Sequence, residues 1–172
     1  MRTSWTRMVS VLLMAGLAAG CYESDVPLDP APQVDVDAAL FGVWRCLPFD
    51  ADPSEPPATV TVAHGTAPRT FTAVWEEPGD TPDRYEGFAS TVGRLAYLNT
   101  RERRADGSLS AWFFMRPTLL RPNALLLQVV DDTAMAGVAK TATAVRDALI
   151  RKQDQPALLT DGALCARAKP GR

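Results

Sequence analysis

The feature that most restricts the fold of this chain is an alternation of apolar and polar residues along two neighbouring segments, 59–64 and 69–77. The apolar side of these segments consists of Val60 and Val62, followed by Phe71, Ala73 and Trp75. A period of two residues is that of a β-strand with one buried face, because successive side chains of a strand point to opposite sides. The pattern therefore predicts an antiparallel sheet that buries one face.

Six more segments have the composition and the flanking turn residues of strands. They are residues 41–46, 84–90, 94–102, 109–116, 124–130 and 162–168. Ala105-Asp106-Gly107-Ser108 has the residue types of a hairpin turn. Two segments, 109–116 and 124–130, are apolar on both faces, which predicts that another element packs outside the sheet there.

One long helix is predicted over residues 133–152, because apolar side chains recur there at steps of three and four. The stripe consists of Met135, Val138, Ala142, Val145 and Leu149. Asp132 or Thr133 would cap its start, and Pro156 prevents its continuation. Its small residues favour a core-facing stripe over the alternative of a membrane-binding face. We expect the helix to cover the two doubly apolar strands.

Together these elements predict a mainly β fold, either an antiparallel up-and-down barrel or a strongly curved sheet of about eight strands, with one long α-helix before the last strand. We expect residues 40–172 to form this single β-rich domain. Residues 21–39 contain several prolines and acidic side chains and no usable periodicity. Such a segment buries too little apolar surface to order itself, so the sequence predicts a Pro/Asp-rich tether there.

Residues 1–20 have the organisation of an export signal. Arg2 and Arg7 precede a run of eleven residues, 9–19, that is almost entirely apolar or small. A membrane-spanning helix needs roughly 20 apolar residues, so the run is too short to cross a bilayer and has the length of the apolar part of a signal peptide.

The signal ends in Leu17-Ala18-Ala19-Gly20-Cys21, which resembles the lipobox of bacterial lipoproteins. The resemblance implies a lipoprotein signal peptide of residues 1–20, cleaved before Cys21, and a lipid anchor of acyl chains such as palmitate on Cys21. An ordinary secretory signal with a chance cysteine is the alternative. Tyr22 stands where an aspartate retains enterobacterial lipoproteins in the inner membrane, and therefore favours the outer membrane. The expected location is the bacterial cell envelope, anchored by lipid and facing the periplasm or the cell surface.

Two further cysteines, Cys46 and Cys165, remain once Cys21 carries lipid. An even pair in an exported protein favours a disulfide, and two buried thiols are the alternative. With one distant histidine, His64, the pair makes a poor zinc set, because structural zinc sites usually take four ligands at short paired spacings. No metal site and no cofactor are expected.

The start of the first strand carries Gly42-Val43-Trp44, which is similar to the Gly-x-Trp motif of the lipocalin and calycin barrels. In lipocalins an arginine near the last strand packs over this tryptophan, and Arg167 stands in a comparable place. The resemblance implies a barrel that binds a small apolar ligand. Inward-facing aromatic residues would line such a pocket or fill it: Trp44, Phe71, Trp75 and Phe113.

No catalytic motif is found, so an enzyme is not expected and no catalytic residue is assigned. Removal of Arg2 and Arg7 leaves 18 − 2 = 16 basic against 20 acidic residues, a net charge of −4 that argues against nucleic acid as a partner. Arg101, Arg103 and Arg104 cluster near a predicted hairpin tip, either as solvated charges or as a patch for an anionic partner. The expected function is a membrane-anchored lipoprotein with a lipocalin-like domain for a small apolar ligand. The alternative is a non-enzymatic structural or protein–protein interaction component of the envelope with a filled core.

Overall fold

A closed antiparallel barrel of eight strands dominates the computed structural model, which describes residues 20–52 and 54–169. The strands are β1 (Glu23–Ser24), β2 (Gly42–Pro48), β3 (Ala58–His64), β4 (Thr70–Glu76), β5 (Asp83–Val92), β6 (Leu95–Glu102), β7 (Trp112–Arg121), β8 (Ala124–Val130) and β9 (Leu159–Arg167). From β2 to β9 each strand pairs with its neighbours in sequence, and β9 also pairs with β2, which closes the ring. The up-and-down barrel is therefore confirmed. The expected signal peptide lies outside the described residues, apart from Gly20.

Alternation along the strands separates the interior of the barrel from its outer surface. In β2, Trp44 and Cys46 are buried, whereas Val43, Arg45 and Leu47 are exposed. The cross-strand register carries this alternation around the ring, because directly paired residues lie on the same face. Inward positions thus meet in one core, and the predicted apolar faces of segments 59–64 and 69–77 belong to it.

The two ends of the barrel differ. At the first end, which we call the capped end, the 3-10 helix η1 (Ala38–Leu40) precedes β2, and Val36 and Leu40 join the interior cluster. The turns at this end are short. At the other end, which we call the open end, lie the longer loops 49–57, 77–82 and 103–111. Several inward-facing side chains are only partly buried there.

The helix is shorter than predicted. Helix α1 spans Ala142–Lys152, with Thr141 as its N-cap, rather than beginning at residue 133. Residues 132–137 form turns instead, and Gly137 has a φ of 76°, which lies in the left-handed region and does not fit a right-handed helix. Met135 is nevertheless buried in the same cluster as the helix, so the apolar stripe marks burial correctly although two of its five residues, Met135 and Val138, lie outside the helix.

The helix packs on the outer surface of the barrel, but its position differs from the predicted one. Its buried residues Val145 and Leu149 share a cluster with outward-facing Val92 of β5, Tyr97 of β6 and Phe114 of β7. The helix therefore lies over outward-facing side chains of β5 and β6, and it reaches the predicted strands only at Phe114 of β7 and at Val130, the last residue of β8. It does not cover the outer face where Leu126 of β8, Leu164 of β9 and Leu47 of β2 pair across the strands, and the last two side chains are each 45 % exposed.

Residues 21–39 do not form the unpacked tether that their composition predicts. Tyr22, Ser24 and Leu28 are buried against the outer surface of the barrel, beside the helix. The backbone N–H of Tyr22 donates to the carbonyl of Val130 over 2.8 Å, and that of Leu28 donates to the Asn99 side chain over 2.7 Å. The segment is ordered by contacts with distant parts of the chain, which its own composition does not reveal.

The predicted disulfide between Cys46 and Cys165 is present. The two residues are directly opposite each other in the β2–β9 ladder, and both are buried inside the barrel. The bond joins the first barrel strand to the last one across a sequence separation of 119 residues. It therefore reinforces the pairing that closes the ring.

Replacement of both cysteines, C46A with C165A, should lower the free energy of unfolding by up to about 4–5 kcal/mol, because a loop of this length gains much entropy in the unfolded chain when the bond is removed. Urea unfolding of the soluble chain carrying Cys21→Ser measures this loss. The same chain with its disulfide intact is the matched control. Equal unfolding midpoints for the two proteins would show that the bond contributes nothing to stability.

Candidate functional site

The side chains that point into the barrel form one apolar cluster to which every strand from β2 to β9 contributes. Trp44 is fully buried and Phe71 is only 4 % exposed, so two of the four aromatic residues predicted to bind a ligand belong to the packed core. The disulfide of Cys46 and Cys165 occupies part of the same space. The barrel interior is thus occupied by the protein's own side chains.

At the capped end, Arg167 lies over Trp44. The guanidinium carbon is 4.3 Å from the centroid of the indole ring, which is the distance of a cation–π contact. Arg167 also donates hydrogen bonds to the carbonyl oxygens of Phe41, over 2.9 Å, and Ala39. The Trp44 indole N–H donates to the carbonyl of Leu40 over 2.9 Å. The contact between arginine and tryptophan that the Gly-x-Trp resemblance implied is therefore present.

The glycine of the same motif has a steric reason. Gly42 has a φ of 126°, a conformation that residues with a side chain rarely adopt. A Cβ atom built on Gly42 would lie 2.8 Å from Nη1 of Arg167. The absence of a side chain at Gly42 allows the arginine to reach across the end of the barrel and bind the backbone of the entry segment.

The other two predicted aromatic residues, Trp75 and Phe113, lie towards the open end and are partly exposed. Phe113 packs edge-on against Tyr85, with ring centroids 6.0 Å apart, and the Trp75 indole N–H donates to the Glu77 carboxylate over 2.8 Å. Burial raises the pKa of the Tyr85 phenol well above its ordinary value, with smaller contributions from Asp83 and nearby acidic groups. The four predicted residues are thus divided between a packed core and a half-exposed aromatic rim.

Cys21, the predicted lipid attachment site, lies at the open end. It pairs with Asp131, directly after the end of β8, and two residues later Glu23 pairs with Phe113 of β7. Its side chain is partly exposed. Burial raises the pKa of the Cys21 thiol, and the charges of Glu23 and Asp131 raise it further. The unmodified thiol is therefore protonated at neutral pH.

Among the described residues, two surface clefts lie outside the barrel interior. One, of about 280 Å³, lies between the outer faces of β7 and β8 and the residues that follow α1; its lining includes Arg116, Gln128 and Asp154. The other, of about 230 Å³, lies at the open end between the loops 49–57 and 77–82, with Glu55, Glu77 and Asp80 in its lining. The first lining is mainly polar, and the second combines three carboxylates with prolines and alanines. Neither cleft has the character of the apolar pocket that the sequence predicts.

The arginines near the 103–111 hairpin are largely paired within the protein. Arg101 and Arg103 both bind the carboxylate of Glu86 on β5, and the Arg101 guanidinium lies 4.4 Å from the centroid of the Trp112 ring. Burial alone would raise the pKa of Glu86, but hydrogen bonds from Arg103 and Arg101 outweigh this effect and hold the pKa below its ordinary value. These contacts indicate that Arg101 and Arg103 stabilise the fold, and they argue against the alternative of a binding patch for an anionic partner.

His64 is exposed at the capped end, where the centroid of its ring lies 3.9 Å from the centroid of the Phe41 ring. It is the last residue of β3. Among the residues described by the structure, no three His, Cys, Asp or Glu side chains are grouped closely enough to hold a metal ion. Nor does this part of the chain contain a helix of the length and apolar character required to cross a bilayer.

A buried polar cluster on the outer surface was missed by the sequence analysis. Asn99 is fully buried; its amide group donates to Ser90 Oγ over 2.8 Å and to the Phe88 carbonyl over 3.2 Å, while its carbonyl oxygen accepts from the Leu28 backbone. The amide thereby ties the backbone of Leu28 to β5 and β6. The one available signal was an asparagine directly after the apolar run 95–98 of a strand, which does not identify its partner.

No family model matches the chain, and neither the curated proteins nor the solved structures give a significant match.

Arg167→Ala should lower the free energy of unfolding by about 1–3 kcal/mol, because it leaves the carbonyls of Ala39 and Phe41 without their donor and uncovers Trp44. It should also shift the tryptophan emission spectrum towards that of a more hydrated ring. Arg45→Ala is the matched control, since Arg45 is exposed on β2 and makes one hydrogen bond, to Thr59; we expect a change within about 0.5 kcal/mol. Urea unfolding followed by fluorescence measures both. Equal losses would mean that the arginine–tryptophan contact contributes nothing specific.

Proposed function

We propose that this protein is a lipid-anchored component of a bacterial cell envelope that acts through its outer surface, without catalysing a reaction. The observation that carries the proposal is the filled interior: Trp44, Phe71 and the disulfide occupy the space in which a lipocalin-like protein would hold its ligand. The anchoring itself rests on the lipobox at residues 17–21. The partly exposed position of Cys21 at the rim of the barrel is compatible with attachment of lipid there.

The affinity required of a cavity binder supports this choice. Micromolar binding corresponds to about 8 kcal/mol. At about 25 cal/mol per Å², this requires roughly 330 Å² of apolar surface to leave water, before the cost of association is counted. A core in which Trp44 is 0 % and Phe71 4 % exposed has little such surface to offer. The outer face of β2 and β9, in contrast, exposes Leu47 and Leu164 to solvent, as expected of a protein that contacts a partner in the envelope.

A second candidate function is supported by the open end. Trp75, Tyr85 and Phe113 are partly exposed there, and three aromatic rings at one rim form a shallow apolar surface. A small apolar ligand, such as one fatty chain, would bind at this rim without entering the core. This candidate keeps the predicted Trp75 and Phe113 as ligand-binding residues and removes Trp44 and Phe71 from that role.

Cys21→Ser should move the protein from the membrane fraction to the soluble fraction, because the substitution removes the thiol that carries the acyl chains. Cell fractionation at high salt, with mass spectrometry of the N-terminal peptide, measures both location and acylation. Leu47→Ser, an exposed change elsewhere on the barrel, serves as the control and should leave the protein in the membrane. Retention of the Cys21→Ser protein in the membrane fraction at high salt would contradict the lipid anchor.

Titration of the soluble Cys21→Ser chain with fatty acids, lysophospholipids and a hydrophobic dye distinguishes the two candidates. For a protein that acts through its surface, we expect no rise in melting temperature and no change in tryptophan emission. Binding at the open rim would raise the melting temperature, and Trp75→Ser should abolish that rise. A rise that survives Trp75→Ser but disappears in Trp44→Phe would restore the interior pocket and contradict the proposal.

A further inference from the structure

The structure leaves no spacer between the expected lipid anchor and the folded barrel. Tyr22, the residue after Cys21, is only 3 % exposed, and its N–H is bound to the Val130 carbonyl. Further along, Leu28 is 1 % exposed, and the Asp29 carboxylate lies 2.8 Å from the Arg146 guanidinium of α1. The segment is thus fixed to the barrel at several points, beginning with the residue that follows the lipid.

We propose that the lipidated protein stands on the bilayer with its open end against the lipid headgroups and its capped end directed away. This inference rests on the proposed lipid attachment at Cys21 and identifies the surface that the anchor brings to the membrane. Cys21 lies beside the open-end terminus of β8, because it pairs with Asp131, the residue directly after that strand. The half-exposed rings of Tyr85 and Phe113 belong to the same end.

Chain lengths show why the packing of residues 22–39 decides the orientation. As an extended tether these 18 residues would reach up to about 60 Å, at about 3.3–3.6 Å per residue, and would allow the barrel to turn freely. Because they are packed against the barrel, they add no distance between the lipid on Cys21 and the barrel. The lipid on Cys21 then holds the rim of the barrel within a few ångströms of the headgroups, while the capped end stays about 20 Å further out, given strands of seven to ten residues tilted in the usual way for a barrel.

The partner of this surface is the bilayer itself. The covalent lipid anchor, rather than an attraction between charges, holds the protein against it. The loops at the open end contain six acidic residues, Asp50, Asp52, Glu55, Glu77, Asp80 and Asp106, against Arg103 and Arg104. An acidic surface is not attracted to anionic lipids, so the orientation should not weaken as salt screens charge. Aromatic rings such as Trp75 and Phe113, in contrast, are suited to the boundary between lipid and water.

Fluorescence energy transfer from the protein to acceptors on lipid headgroups tests the orientation. Ala105→Cys places a dye on the 103–111 loop of the open end, and Ala67→Cys places the same dye on the turn between β3 and β4 at the capped end; both positions are exposed. In the lipidated protein Cys21 is blocked and Cys46 is bonded to Cys165, so each variant has one reactive thiol. Reconstituted in phosphatidylcholine vesicles, the open-end dye should transfer several times more energy than the capped-end dye, at low and at high salt.

A spacer variant provides the control. Insertion of 20 Gly and Ser residues between Cys21 and Tyr22 gives the chain a root-mean-square reach of about 25 Å, which should lower transfer from both dyes and remove the difference between them. Equal transfer from the two dyes in the protein without a spacer, or greater transfer from the capped end, would overturn the orientation while leaving the lipid anchor intact. Mass spectrometry that finds no acyl group on Cys21 would instead overturn the proposed function, and the orientation with it.

Discussion

The pairing of β9 with β2 is the contact on which the rest of the structure depends, because it converts a meander of strands into a closed ring. Without it, both edges of the sheet would expose unpaired backbone groups and the inward faces would open to water. The ring is closed late in the chain, between residues separated by 119 positions. Two side-chain contacts reinforce it: the disulfide of Cys46 and Cys165 in the middle, and Arg167 over Trp44 at the capped end. The entropy of closing so long a loop is thus opposed by a covalent bond and a buried aromatic contact.

Much of the barrel could be predicted because the period of two residues is a local signal. The segment 124–130 coincides with β8, and 59–64 differs from β3 by one residue at its start. The strand of segment 109–116, in contrast, runs on through Pro117 as far as Arg121. A proline is tolerated there because, among the described residues, β6 pairs with β7 only over residues 113–115, which leaves the later part of β7 without a ladder on that side. Local composition does not reveal which side of a strand lacks a neighbour.

The errors have the same origin, since each concerns contacts between distant parts of the chain. The apolar stripe of 133–152 marks buried positions such as Met135 and Leu149 correctly, but a run of turns around Gly137 buries the same residues as a helix would. The composition of 21–39 correctly indicates that the segment does not order itself; Asn99 and the outer faces of β5 to β7 order it instead. In the candidate site, the sequence pattern identified Trp75 and Phe113 as inward-facing. It did not show that these two residues lie towards the open end, whereas Trp44 lies towards the capped end.

The filled core and the packed N-terminal segment lead to the same conclusion about function. Emptying the barrel to admit a ligand, for example by truncating Trp44, would cost about 3–5 kcal/mol, a large part of the 5–15 kcal/mol that a domain of this size typically has. The interior residues are therefore committed to stability, as are Tyr22, Leu28 and Asn99 on the covered side of the outer surface. The residues free to serve a function are those that the fold does not need to bury. They lie in the loops of the open end and on the uncovered face of β2 and β9, where Leu47 and Leu164 are exposed without being required by the core.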